Sequence, residues 1–193
     1  MTKIVLKNVR CSFPHLFEPT SYNGQEGKYS MQIIMDENHP QRKQLDAAVL
    51  DAAREKFPTK VKSNIFPASL KSPIRDGAEK SDERPEYLGK IFFNASSKNK
   101  PLLCDKHKNK LTEDDGLFYP GCFVNVSLNT YGFDAAGNKG VAIGLNGVQF
   151  RKDGEALGGT GKTIDDFDVI EDEEEEEVDI PFDKGGSIGE ELI

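Results

Sequence analysis

The chain has 193 residues, 36% of them apolar, three cysteines and a formal net charge of −8. That length holds one good-sized core, or a core plus a tail. Three cysteines are too few and too odd in number for a disulfide framework, and no apolar stretch nears the roughly 20 residues that span a bilayer.

The start, Met1-Thr2-Lys3-Ile4-Val5-Leu6-Lys7, lacks the long apolar segment of a signal peptide, so a soluble protein of a reducing, intracellular compartment is expected. Residues 4–9 read as a first strand, with Ile4 and Leu6 alternating against Lys3, Val5 and Lys7. A loop rich in proline, glycine and aromatic residues is expected from Cys11 to Gly27. Residues 28–36 then alternate cleanly. Tyr29, Met31, Ile33 and Met35 share one face, and Lys28, Ser30 and Gln32 the other.

From about Asn38 to Phe57 the period becomes helical. Leu45, Ala48, Val49, Ala52 and Ala53 recur on one face, Pro40 suits a first turn and Pro58 stops the run. Residues 59–87 read as irregular. Strands follow at 89–96 and 100–105, then a charged loop at 105–116. A long strand at 121–133 turns through 134–140 into a partner at 141–150, which makes a hairpin. About five or six strands with one early helix predict a mainly β protein, built as a small mixed barrel.

Composition changes after Phe150. We place the domain at 1–152, a Gly-rich linker at 153–164 and a disordered acidic tail at 165–193. The tail holds 14 acids against one base, whereas residues 1–164 hold 24 bases against 19 acids. A basic body carrying an acidic appendage is a charge pattern that points toward nucleic acid.

Motifs for other chemistry fall short. Gly159-Thr160-Gly161-Lys162-Thr163 has Ala156 where a phosphate-binding loop needs glycine, and acids follow it. Cys104 with His107, and Cys11 with His15, have ligand-like spacing but match no standard zinc finger. No nucleophile signature is present. No metal, no cofactor and no catalytic residue are expected.

The long hairpin strand carries the informative face. Val124, Val126 and Leu128 point to a core, while Phe123, Asn125, Ser127, Asn129, Tyr131 and Phe133 point away from it. The strand before it splits the same way, with Lys90, Phe92, Asn94 and Ser96 outward. On the partner strand, Ala142, Gly144 and Asn146 are small enough to let a ligand backbone approach. Rings interleaved with small polar residues suit base stacking, and nearby lysines suit phosphates. The expected DNA-binding set is Lys90, Phe92, Asn94, Lys98, Lys100, Lys106, Lys108, Lys110, Phe123, Asn125, Asn129, Tyr131 and Phe133.

At these residues the chain resembles the single-stranded DNA-binding proteins of tailed bacteriophages. The similar stretches are Lys28-Tyr29-Ser30, Ser72-Pro73-Ile74-Arg75-Asp76-Gly77, Phe92-Phe93-Asn94-Ala95-Ser96-Ser97, Tyr119-Pro120-Gly121-Cys122 and residues 137–159. The resemblance covers about residues 3–160. It implies an OB-fold, binding of single-stranded DNA, service in phage replication or recombination, and a location in the cytoplasm of the bacterial host. Asp179-Ile180-Pro181-Phe182 is similar to the apolar-tipped acidic tail of bacterial single-stranded DNA-binding proteins, which recruits replication and repair enzymes. Here Asp183 to Ile193 follow the phenylalanine, so the same partner pockets need not apply. The resulting expectation is a non-catalytic, largely sequence-independent binder whose tail competes with DNA and recruits partners. A protein-interaction adaptor or DNA mimic acting through the tail is the alternative, and the sequence leaves a homo-oligomer open.

Overall fold

The computed structural model describes residues 2–158 apart from positions 22, 23, 25 and 136. In chain order the elements are β1 (Thr2–Thr20), β2 (Lys28–Asp36), α1 (Arg42–Lys56), the two-residue β3 (Arg75–Asp76), β4 (Lys90–Ser97), β5 (Leu102–Cys104), β6 (Phe123–Ala135) and β7 (Asn138–Lys152). Across the sheet the strands run β3-β4-β2-β1-β6-β7-β5. A parallel pairing of Ala95 with Ile143 and Ser96 with Gly144 joins β4 to β7. That contact closes β1, β2, β4, β7 and β6 into a five-stranded barrel of the OB type.

The expected loop after residue 9 is instead more of β1. Residues 2–10 pair with β6, and residues 10–20 pair with β2, so the strand changes partner at Arg10. Three irregularities bend it, the last between His15 and Thr20. One lies between Leu6 and Val9, where Asn8 takes φ 56°, and one lies between Ser12 and His15, where Phe13 takes φ 45°. Proline lacks an N–H and is tolerated at such a bulge, which is where Pro14 sits. The turn-like composition was therefore the chemistry of a bent strand.

β2 has the expected bounds, and α1 buries Leu45, Ala48, Val49, Ala52 and Ala53 as its periodicity predicts. The helix lies over one end of the barrel, where the buried Thr130 hydroxyl donates to the Ala48 carbonyl at 2.9 Å. At its start the Gln41 side-chain amide accepts from the Lys7 N–H at 2.7 Å and donates to the Val5 carbonyl at 2.8 Å. Among the described residues no helix is long and apolar enough to cross a membrane.

The core is filled by alternate residues of every barrel strand, including Leu6, Met31, Ile33, Phe93, Val126, Leu128, Ile143 and Leu145. The β6–β7 hairpin extends further into the expected turn, its register running to Ala135 opposite Asn138, while β6 begins two residues later and β7 ends two residues later than expected. A register shift next to Asn146 changes the inward set of β7 from Val141, Ile143 and Leu145 to Val148.

Residues 75–88 form a strap across the outside of β2 and β4. Arg75 and Asp76 pair with Phe92 and Ile91, and two short 3-10 turns follow at Gly77–Glu79 and Pro85–Tyr87. Beneath the strap, Ile34, Tyr87 and Phe92 make a second small apolar cluster, with Leu157 packed against it. The sequence places Phe92 on an open stacking face. In the fold it is fully enclosed, edge-on to Tyr87 at 5.3 Å between centroids.

Residues 153–158, assigned to the linker by composition, lie against the barrel. Leu157 N–H donates to the Pro120 carbonyl at 2.9 Å, and Arg10 reaches the Glu155 carbonyl at 2.7 Å. The compact unit spans Met1–Gly159. The Gly-Lys motif, the acid run and Asp179-Ile180-Pro181-Phe182 lie outside the described residues.

The strap sits so close that a methyl group on Gly77 would stand 2.0 Å from the Tyr87 carbonyl oxygen and 2.7 Å from that of Lys90. Gly77→Ala should therefore cost about 1–3 kcal/mol, the usual range for overpacking. Gly116→Ala, with φ 61° but open space, should cost about 1 kcal/mol from backbone strain alone. Urea unfolding checks both, with lowered midpoints and unchanged slopes expected.

Candidate nucleic-acid interface

Alternation along β1, β2 and β4 sends every second side chain out of the barrel. Two cross-strand rows of polar residues result, Ser12–Gln32–Asn94 and His15–Ser30–Ser96. The bulge in β1 sets Phe13 beside them, 42% exposed and at a positive φ that a phenylalanine seldom adopts. Strain at an exposed ring is a mark of a site, and bulges commonly re-aim a side chain in this way. Phe13, His15, Ser30, Gln32, Lys80 and Asn94 line one groove of about 280 Å³.

The strap delivers cations to this groove. The Arg84 guanidinium lies 4.9 Å from the Phe13 ring centroid, and the Lys80 ammonium lies 5.7 Å from it. Lys80 also stands 4.7 Å from the Phe92 centroid and 5.3 Å from that of Tyr87, while Arg75 lies 5.0 Å from Phe92. The buried rings are thus a floor for the cations. Arg75 pairs with Glu79, and Arg84 lies 3.7 Å from Glu86. Partial burial, then the charges of Arg75 and Arg84, hold the Lys80 ammonium below its ordinary pKa. Like charges gathered around a groove favour an incoming anion.

Hydrogen bonds tie the floor together. Tyr87, whose phenol burial pushes up, donates to Gln32 Oε1 and lies 3.3 Å from the Ser12 hydroxyl. Gln32 Nε2 donates to Asn94 Oδ1 at 2.9 Å.

The expected site residues separate in the fold. Asn94 lines the groove, and Phe92 lies under it. Lys90 and Lys98 flank it at the two ends of β4, in exposed ion pairs with Asp36 at 2.7 Å and Glu26 at 2.6 Å. Such pairs contribute little, so a phosphate can replace the carboxylate. The Lys100 ammonium lies 5.8 Å from the Phe17 ring centroid. Lys106, Lys108 and Lys110 project from a loop organised by the Asp105 carboxylate, which accepts from the N–H groups of His107 and Asn109 at 2.8 Å each. Lys108 and Lys110 line a different groove of about 370 Å³, with Val5, Leu102 and Asn125.

The outward row of β6 is more occupied than its sequence suggests. Phe123 is half-buried, with Arg10 at 5.7 Å and Lys152 at 4.8 Å from its centroid. Asn125 donates to Gln149 at 2.9 Å and accepts from the Asn8 N–H at 3.0 Å. The Asn129 amide fills the space over Gly144, where a Cβ would meet it at 2.4 Å. Tyr131 is 36% exposed beside Ala52 and Lys56 of α1, and Phe133 is half-buried. Strand β7 lies between this row and β4.

Sequence reasoning placed none of Phe13, His15, Lys80 and Arg84 at this groove. The polar alternation of Ser30 and Gln32 was a usable signal. Nothing local announced that a strap at 75–88 would carry cations to them. The Cys11–His15 spacing also dissolves: Cys11 faces the core against Cys122, whereas His15 faces the groove. Among the described residues no three His, Cys, Asp or Glu side chains converge as metal ligands would.

The family model of the Enterobacter phage Enc34 ssDNA-binding protein matches residues 2–179. The chain belongs to this Enc34 family. Putative protein p50 of Acyrthosiphon pisum secondary endosymbiont phage 1 is 37% identical over 183 residues, 91% of this chain and 98% of that protein. The single-stranded DNA-binding protein of bacteriophage Enc34, solved in complex with ssDNA, matches with TM-score 0.70 and 26% identity, covering 81% of this chain and 89% of that one. A likeness to gp2.5, a single-stranded DNA-binding protein of bacteriophage T7, shows the shared fold, at 13% identity, TM-score 0.55 and coverage of 84% and 98%. A family of phage single-stranded DNA-binding proteins and an OB-type barrel are what the sequence led us to expect.

Because folding depresses the Lys80 pKa, the native state binds fewer protons than the unfolded state between the two values. Its contribution to stability therefore rises as pH climbs from the depressed value toward the ordinary lysine one. Replacing Arg84 by glutamine removes one repelling charge and should move the Lys80 titration back up. Carbon-13 shifts at Lys80 Cε, followed against pH, check this.

Proposed function

We propose that the protein binds single-stranded DNA, largely without regard to sequence and without catalysing a reaction, in phage replication or recombination. The observation that carries this reading is the exposed Phe13 ring on its strained bulge, with Arg84 and Lys80 beside it. The groove beside it runs over β2 and β4, the second and third strands of the barrel, the face that OB barrels use for oligonucleotides. A ring that takes a base by stacking and cations that take its phosphates suit a ligand with both parts. The relative solved with ssDNA supports the choice of ligand. In this reading Asn94 meets the bases, and Lys90 and Lys98 extend the cationic track along β4.

Phe13→Ala should weaken binding of a single-stranded oligonucleotide by about 1–3 kcal/mol and leave its salt dependence unchanged. Arg84→Gln should instead lower the salt slope by about 0.7, the value for one phosphate on a single strand. If both variants bind as the parent does while Tyr131→Ala does not, the outward row of β6 is the site.

We assign the acidic tail two roles, competition with DNA for the basic body and recruitment of replication proteins through Asp179, Ile180, Pro181 and Phe182. Its 14 acids against one base are tethered to a body with a surplus of bases. Removing residues 165–193 should tighten single-strand binding at low salt, with the difference vanishing at high salt. Phe182→Ala keeps the charge and should leave DNA affinity unchanged. A truncated protein that binds no oligonucleotide would favour the adaptor or DNA-mimic reading.

A further inference from the structure

Resting on the reading of this groove as the single-strand site, we infer that Asn94 and Lys80 give it a preference for keto bases, thymine and guanine, over cytosine and adenine. The argument starts from Lys80. An ammonium can only donate a hydrogen bond. It faces Gln32 Oε1 at 3.4 Å, and the buried Tyr87 hydroxyl donates to the same oxygen. Gln32 is 6% exposed and held from both sides, so its amide has one orientation, with Nε2 turned to Asn94. That nitrogen donates to Asn94 Oδ1 at 2.9 Å. The Asn94 oxygen is thereby engaged inward, and its NH₂ group is the part left for the groove.

Asn94 is exposed and lines the same groove as Phe13 and Lys80. A base stacked on Phe13 therefore has two donors nearby, the Asn94 amide and the Lys80 ammonium. Thymine offers O4, and guanine offers O6 and N7, all acceptors. Cytosine and adenine present an exocyclic amino group in place of that keto oxygen, which sets donor against donor there, although adenine keeps the N7 acceptor that guanine also has. The preference is worth about one hydrogen bond, roughly 3- to 10-fold in affinity. That is small enough to leave the protein a general binder.

The polarity is set from the interior, and it can be reversed from there. Gln32→Glu keeps the shape and still accepts from Tyr87 and Lys80. Its second oxygen can only accept, so Asn94 must turn its NH₂ inward and its oxygen to the groove. Affinities for matched thymidine, guanosine, cytidine and adenosine oligodeoxynucleotides are measured at one salt concentration, because the added charge weakens all of them together. The intact protein should favour the keto oligonucleotides about 3- to 10-fold. Asn94→Ala, at an exposed position, should lower the thymidine-to-cytidine ratio toward what Lys80, stacking and strand flexibility leave, and Gln32→Glu should lower it further.

Stacking strength and strand flexibility also differ between bases, but those differences survive in Asn94→Ala. Equal affinities in the intact protein, or a keto preference that Asn94→Ala leaves undiminished, overturn the inference while the groove remains the site. Failure of the intact protein to bind any of the oligonucleotides overturns the site and the inference together.

Discussion

The structure depends on one closure, the parallel pairing of Ala95 with Ile143 and Ser96 with Gly144. Without it the sheet would stay open, with β4 and β7 covered only in part by the short β3 and β5, and the inner faces of five strands would have no common core. With it, each strand has one face enclosed, and whatever else the protein does must be built on the outer face. The helix lies over one end of the barrel, and Phe17, Phe118 and Phe150 pack together where β6 begins and β7 finishes. Both ends are thus spent on stability, which leaves the strand faces for a ligand.

One part of that outer surface is rebuilt by the strap. Over β2 and β4, Tyr87 buries Ile34 and Phe92, so aromatic residues that alternation sends outward become a foundation. The strap's cations then stand on that foundation rather than on solvent, and burial contributes most to the lowered Lys80 pKa. Phe13 is the ring that stays open, because a bulge sets it outside the regular pleat. Apolar floor and crowded cations are two consequences of one segment laid across two strands, and the strained ring comes from the bulge in β1.

Hydrogen bonding gives the same groove a direction. The amide of Gln32 joins a buried phenol and a cation on one side to an exposed amide on the other. A side chain of the floor thus decides which atoms of its neighbour meet a ligand, as in any network whose members are all satisfied. The outward row of β6 shows the opposite outcome. There Asn125 and Asn129 spend their amides on Gln149, on the Asn8 backbone and on the space over Gly144.

Much of the fold was legible in the sequence because its signals are local. Period-two alternation marked β2 and β6, helical spacing marked all five buried residues of α1, and charge counting separated an acidic tail from a basic body. The mainly β class and the barrel followed from those elements, and quoted stretches such as Phe92-Phe93-Asn94-Ala95-Ser96-Ser97 were enough to suggest the family. The tertiary structure decided which outward residues are open. Phe92 and Tyr131 carry equally outward sequence patterns, yet one is fully enclosed and the other 36% exposed. Alternation says which side of a strand a residue takes, whereas exposure depends on what distant segment lies over that side. For Phe92 that segment is the strap, whose Tyr87 ring packs edge-on against it across a register that no local pattern encodes.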